Sequence, residues 1–295
     1  METQGRPLRR SCDCVGLSRS AWYAPPLDWT VRDAGKVLRG NVGHYLFISS
    51  ISAYADGSRP GITEDAALAP YTGKDAMAET QESLMADVEN LFGPLKALSE
   101  AEALKQFGER TSIVRPTYIV GPRDQTDRFS YWPLRVAQGG EMLVPGERDD
   151  PIQIIDGRDL GEWMIRLAEN GTYGAFNAAG PDYTLGMDAM LHGCQAVTGG
   201  GVDFTHVPMS FLEKHKVQLP IWVPPRDNPY AGYGQVSNAR AIAAGLTFRP
   251  LATTVTDLLA WFRSLPAERQ AKLNAGISRE KEAELLKLWH ARAAG

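Results

Sequence analysis

Ser49, Ser50 and Tyr54 close one stretch of this 295-residue chain with hydroxyl groups, and Lys96 brings an amine in a second stretch, Phe92-Gly93-Pro94-Leu95-Lys96-Ala97. Hydroxyl, phenol and amine groups are the side chains that hold a reacting oxygen or move its proton. Phe92 stands apart from them. A phenyl ring has no ionisable group, so it neither donates to a carbonyl oxygen nor takes a proton from a hydroxyl. A positioned acid or base is worth ~10²–10⁴-fold in rate.

Other chemistries find less support. His44, His192, His206, His215 and His290 are scattered, with no i, i+4 pair among them, and Cys12 and Cys14 have no histidine or second cysteine pair nearby, so no metal site is expected. Cys194 leaves no regular disulfide framework. There is no Gly-x-Ser-x-Gly elbow and no Walker-type loop. The acidic pairs Asp149-Asp150 and Glu64-Asp65 fall in loop contexts and read as solvated surface. Trp222, Tyr230 and Tyr233, among Pro224, Pro225 and Pro229, would either line a pocket for a sugar-like molecule or pack as an irregular loop.

The elements that must position these groups follow from period and punctuation. Residues 1–29 carry no period and read as irregular chain. A helix is expected over Val31–Arg39, with Thr30 as cap and Gly40 closing it. His44–Ser50 reads as a strand buried on both faces of a parallel sheet, and Thr111–Pro116 as a second, with Tyr118–Pro122 leading out. Between them a helix should run from Met77 to Asn90 and onward to Lys105, with Pro94 in a first turn. Strand, helix, strand at this spacing implies a right-handed crossover and a parallel α/β sheet. Further on, Phe129–Gln138, Asp159–Glu169, Val255–Phe262 and Lys281–His290 read as helices, and Pro151–Ile155 and Phe176–Pro181 as strands.

A net charge of −4, with 43% hydrophobic and 22% charged residues, fits a globular protein and disfavours nucleic acid as a partner, because phosphate-backbone affinity comes from clustered cations. No apolar run approaches the ~20 residues of a membrane span. Arg9 and Arg10 have no apolar stretch behind them, so a cytoplasmic location is expected.

Four motifs in order resemble the extended short-chain dehydrogenase/reductase superfamily, which includes the NAD-dependent epimerases and dehydratases. They are Phe47-Ile48-Ser49-Ser50 with Tyr54, the Gly93-Pro94-Leu95-Lys96 block, Arg115-Pro116-Thr117-Tyr118-Ile119-Val120-Gly121-Pro122, and Asp156-Gly157-Arg158-Asp159-Leu160 before a helix. The resemblance covers Val31 to Pro266 and implies a Rossmann-like parallel-sheet domain with a smaller C-terminal substrate lobe, NAD or NADP as cofactor, and a sugar-like or nucleotide-sugar substrate. By position, Ser50 matches the residue that hydrogen-bonds the reacting oxygen, and Phe92 stands where the family has its acid/base tyrosine. Lys96 matches the lysine that binds the nicotinamide ribose and lowers the tyrosine pKa. Ser49, Lys96, Arg115, Pro116 and Tyr118 are the implied cofactor contacts. The residues alone also allow plainer roles: Ser50 as a backbone cap, Lys96 as a solvated helix lysine, Arg115 as structural, and Asp159 as a buried hydrogen-bonding group at a helix start.

One family motif is missing. The glycine-rich turn between a first strand and helix is not found, since Gly40-Asn41-Val42-Gly43 precedes a strand and Gly199-Gly200-Gly201 opens no helix. The expected organisation is therefore an irregular segment (1–29), a remnant of an N-terminally incomplete dinucleotide-binding domain (30–125), a mixed Rossmann and substrate lobe (126–266) and a helical tail (267–295). The strand at Tyr45 to Ser50 is then expected to have an unpaired edge unless a second copy, a partner chain or the N-terminal segment covers it. Two functions follow: an NAD(P)-dependent epimerase, dehydratase or reductase-like protein, or a degenerate member that binds or assembles without turnover.

Overall fold

The computed structural model describes residues 28–292. The expected irregular segment, with Cys12, Cys14, Arg9 and Arg10, lies outside the described residues except at its end, where helix α1 starts. In chain order the elements are α1 (Asp28–Leu38), β1 (Tyr45–Ile48), α2 (Gln81–Ala86), α3 (Val88–Phe107), β2 (Thr111–Pro116), β3 (Tyr118–Val120), α4 (Tyr131–Val136), β4 (Gly140–Pro145) and β5 (Ile154–Asp156). There follow α5 (Gly157–Asn170), β6 (Gly174–Ala178), α6 (Met187–Thr198), β7 (Val202–Val207), α7 (Met209–Lys214), α8 (Ala239–Ala243), α9 (Leu251–Arg263), α10 (Ala267–Gln270) and α11 (Arg279–Ala291). The chain forms two compact units that interleave in sequence: residues 28–55, 65–115 and 164–176 in the first, and 56–64, 116–163 and 177–292 in the second.

In the first unit the sheet order is β1-β2-β6, and β1 runs parallel to β2 with Tyr45 opposite Thr111 and Ile48 opposite Val114. β2 is buried at all six positions. β1 is only half-buried at each of its four, which corrects the expectation of a strand covered on both faces. Among the described residues β1 lies at the edge of its sheet, with β2 as its neighbour on one side. Val31, Ala103 and Ile113 form a small core with Tyr45 and Phe47, and the Tyr45 ring stacks on Phe107 with centroids 3.9 Å apart.

The single helix expected from Met77 is broken. Residues 76–78 make one 3₁₀ turn, and α2 starts at Gln81 behind a reciprocal Thr80–Ser83 capping box. It stops at Asp87, whose φ of −144° and ψ of 58° lie outside the helical region, and α3 begins at Val88 with Pro94 in its interior. Pro94 has no N–H for the Asn90 carbonyl, yet the helix runs through to Phe107. Packing overrides that loss: Gly93 sits so close to the turn after β1 that a Cβ on it would overlap the Ser52 carbonyl oxygen. A bare backbone at Gly93 is thus what lets α3 approach the end of β1.

The second unit contains two parallel strand pairs, β3 with β5 and β4 with β7, the latter in register from Gly140–Val202 to Pro145–Val207. Its core includes Phe129, Trp132, Met142, Leu143, Met190, Leu191, Leu258 and Leu285. Each such side chain, fully buried, contributes roughly 1.5–3 kcal/mol before entropy is charged against it. Helix α11 is anchored by Glu282, only 1% exposed, which accepts from Arg135 Nε at 2.6 Å and from the Leu143 N–H at 3.1 Å. No helix of the described residues is long and apolar enough to cross a membrane.

Candidate functional site

In the first unit the end of β1 gathers the predicted hydroxyls. The Ser49 N–H extends the ladder to the Val114 carbonyl at 2.6 Å, while its Oγ is buried without a hydrogen-bond partner. Ser50 leaves the strand at φ −160°, ψ 153° and caps the 3₁₀ turn Ile51–Ala53, its Oγ accepting from the Ser52 N–H at 3.1 Å. That is the local capping role the residue type favours, and the hydroxyl proton stays available to a second acceptor.

Lys96 lies on α3 and is half-buried. Its Nζ donates to the Ile48 carbonyl at 2.9 Å, 5.3 Å from the Phe47 ring centre and 5.9 Å from that of Phe92. Burial pushes its pKa down to about 8, against the pull of the Glu100 charge. Lys96 is therefore not a solvated helix lysine. Phe92, one turn earlier, packs with Tyr71, Leu91 and Leu98 around Leu84 and Leu95. An apolar ring fits this cluster, and no proton is offered to Lys96 from it.

Neither nearby phenol replaces the missing one. Tyr71 donates to Glu79 Oε1 at 2.5 Å, and that bond, with burial and the neighbouring carboxylate charges, pushes its pKa up to about 12. Tyr54 is 3% exposed and its oxygen accepts from Arg115 Nη1 at 2.9 Å. Arg115 in turn holds Glu100 through Nε at 2.9 Å and Nη2 at 2.7 Å, a buried bidentate pair. Burial works against the guanidinium charge, but the Glu100 hydrogen bond and charge prevail and raise its pKa. Arg115 thus locks β2 to α3 and to the turn carrying Tyr54.

In the second unit, Pro116 ends β2 and Tyr118 opens β3. Burial pushes the Tyr118 phenol pKa up, opposed by the Arg128 guanidinium, which lies 4.9 Å from the ring centre. The Asp156-Gly157-Arg158-Asp159 motif is a structural clamp. Asp156 accepts from Arg158 Nη2 at 2.7 Å and Thr254 Oγ1 at 2.8 Å, and Asp159 accepts from Arg249 Nε at 2.7 Å. Together they tie the start of α5 to α9 and the loop before it.

The second unit also carries a cleft of about 820 Å³, lined by Glu147, Arg148, Asp149, Asp150 and Pro151 after β4, Phe204 and His206 on β7, and Pro225, Arg226 and Gln235. Asp150 Oδ2 accepts from Trp222 Nε1 at 2.7 Å and from the Glu147 N–H at 2.9 Å, and Asp150 is 4% exposed. Glu64, 7% exposed, accepts from the Asn177 N–H at 2.8 Å. One member of each acidic pair is therefore buried, which corrects the reading of both as solvated surface: backbone and indole donors satisfy them internally. His206 faces two acceptors, the Gly146 carbonyl at 2.9 Å and Asp188 Oδ1 at 2.7 Å. Sequence reasoning missed this cleft apart from its Pro-rich rim. The alternation Val202-Asp203-Phe204-Thr205-His206-Val207 is the signal that marks its β7 wall.

No protein-family model and no curated protein sequence matches the chain. Among solved structures, a putative epimerase from Burkholderia cenocepacia J2315 is similar at 18% identity over 86% of this chain and 72% of that one, with a TM-score of 0.52. A tyrosine-to-phenylalanine mutant of UDP-glucuronic acid 4-epimerase from Bacillus cereus, in complex with UDP-4-deoxy-4-fluoro-glucuronic acid and NAD, is similar at 13% over 81% and 67%, with a TM-score of 0.54. RMD from Pseudomonas aeruginosa, complexed with NADPH, is similar at 17% over 80% and 72%, with a TM-score of 0.51. The chain shares the α/β fold of these solved structures.

A dinucleotide makes two demands. The Lys96 ammonium and the unpartnered Ser49 hydroxyl suit ribose hydroxyls. The pyrophosphate needs a glycine-rich turn from strand into helix, and among the described residues none is present: Gly40 and Gly43 lie between α1 and β1, and Gly199–Gly201 between α6 and β7. The described residues therefore fit only part of NAD(P), and no hydride-transfer step is derived from them.

Proposed function

We propose that this protein binds a sugar-like small molecule on an epimerase/reductase fold and lacks the acid/base step of turnover. The observation that carries this reading is the Phe92 ring, and not a phenol, one turn from Lys96 with Nζ 5.9 Å from its centre. Binding a ground state and stabilising a transition state are separate demands, so losing the proton donor leaves recognition intact. The second-unit cleft supports the binding half: its volume lies in the range of small-molecule pockets, and its carboxylates, guanidiniums, imidazole and amide match a hydroxyl-rich ligand. A tyrosine-to-phenylalanine epimerase mutant solved with both a nucleotide-sugar analogue and NAD is in keeping with such a separation.

The test is a calorimetric titration with UDP-hexoses, wild type beside Arg226→Glu. Saturable heat in the wild type and its loss in the variant support the cleft, whereas no heat in the wild type up to about 1 mM, the weak end of ordinary substrate affinities, removes it.

A second reading is NAD(P)-dependent epimerase, dehydratase or reductase turnover. The partnerless Ser49 hydroxyl beside the strand end that Lys96 caps favours it. Saturable quenching or enhancement of NADH or NADPH fluorescence by the protein would be its first requirement.

A further inference from the structure

We propose that Lys96 is a reactive amine that condenses with a small aldehyde or ketone to form an imine. The inference is independent of the cleft in the second unit and rests on the surroundings of one nitrogen. Lys96 Nζ has a backbone carbonyl as its hydrogen-bond acceptor, with the Phe47 and Phe92 rings on its flanks. Among the described residues no carboxylate pairs with it. Glu100, one turn further along α3, is held at both oxygens by Arg115.

Three other lysines contrast with this. Lys36 salt-bridges Asp33 at 2.7 Å and Lys105 salt-bridges Glu102 at 2.9 Å, with side chains 64% and 72% exposed, and Lys281 salt-bridges Glu284 at 3.0 Å. Each of these three amines has a carboxylate beside it and open access to water. An ammonium against aromatic faces and one carbonyl loses hydration without gaining an anion, and its proton is held more weakly. With phenylalanine at position 92, no acidic side chain competes for that proton on the preceding turn. The lowered Lys96 pKa agrees with the geometry.

The chemistry balances without a bound cofactor. The neutral amine attacks the carbonyl carbon, a C–N bond forms, and the carbonyl oxygen leaves as water with the two amine hydrogens. The product, a Lys96 imine, reverts by hydrolysis. Added cyanoborohydride supplies hydride to the imine carbon, a solvent proton goes to nitrogen, and the adduct becomes a stable secondary amine.

The experiment treats the full chain with glycolaldehyde and sodium cyanoborohydride at near-neutral pH, stops at low conversion, and maps the modified lysines by peptide mass spectrometry. Lys96 is expected to be modified on the order of 10-fold faster than Lys36, Lys105 and Lys281 despite its lower exposure, because its neutral fraction is larger. The preference should vanish in urea-unfolded protein. Modification that follows exposure, with Lys96 among the slowest, overturns the proposal, as does a Lys96 preference that survives unfolding.

Discussion

Lys96 Nζ donates to the Ile48 carbonyl at 2.9 Å, so a helix lysine is fastened to the last residue of a strand whose next two residues are the hydroxyl-bearing Ser49 and Ser50. The bond fixes where the amine points. It also takes the ammonium out of water, and stability should register that cost.

The sign is set by proton counting. Burial lowers the Lys96 pKa from 10.5 to about 8, so within this interval the unfolded chain holds a proton that the folded chain does not. Stability attributable to Lys96 therefore rises with pH through that window, and the desolvation cost is fully present below it. Urea midpoints of the wild type relative to Lys96→Met should increase from about pH 7.5 to about pH 9.5, and a flat or falling difference would count against a desolvated Lys96.

Gly93 should tolerate nothing larger. Alanine gains about 1 kcal/mol of helix propensity, but its methyl would overlap the Ser52 carbonyl oxygen, which is backbone and cannot swing away. Overpacking of this kind costs about 1–3 kcal/mol or more, so Gly93→Ala should lower the urea midpoint in spite of its propensity. An unchanged or raised midpoint would show that α3 stands off from the turn.

The Arg115–Glu100 pair should show strong coupling. Arg115→Met leaves a buried carboxylate uncompensated and is expected to cost about 3–5 kcal/mol, while adding Glu100→Leu to it should recover much of that. A double-mutant cycle reads the difference, and additive single costs would mean that the two side chains do not interact.

Phe92→Tyr should place a phenol beside the Lys96 ammonium. Ultraviolet difference titration against the wild type is expected to show one added tyrosine ionising at or above the ordinary value near 10, because the Lys96 amine, its pKa down to about 8, has lost its charge by then and the apolar cluster disfavours the phenolate. Titration well below that value would show that Lys96 keeps its charge up to pH 10 and is not desolvated.

Much of this arrangement was legible in the sequence because it rests on short-range rules. The run Tyr45–Ile48 had to be a strand, Thr111–Pro116 a buried one, and the amphipathic stripe of Leu160, Trp163, Met164 and Leu167 had to be a helix. Hidden features depend on the third dimension. The start of α2 follows from the Thr80–Ser83 capping box and the break before α3 from a non-helical backbone at Asp87, neither of which has a periodic signature. Asp150 looks like any loop aspartate until the Trp222 indole, far along the chain, is seen to donate to it. The bidentate hold of Arg115 on Glu100 and the Tyr71–Glu79 bond likewise emerge only from packing.

Binding without acid/base turnover is tested most directly by saturation-transfer NMR on a panel of UDP-hexoses mixed with the wild-type protein and NAD. One set of spectra reports contact with the sugar and any change in its identity. Saturation transfer to sugar protons, with the anomeric signals unchanged over hours, is the expected result. Conversion to a new sugar would show that turnover proceeds without a phenol at position 92, and absence of transfer for every hexose up to about 1 mM would show that the sugar-like ligand has been misassigned.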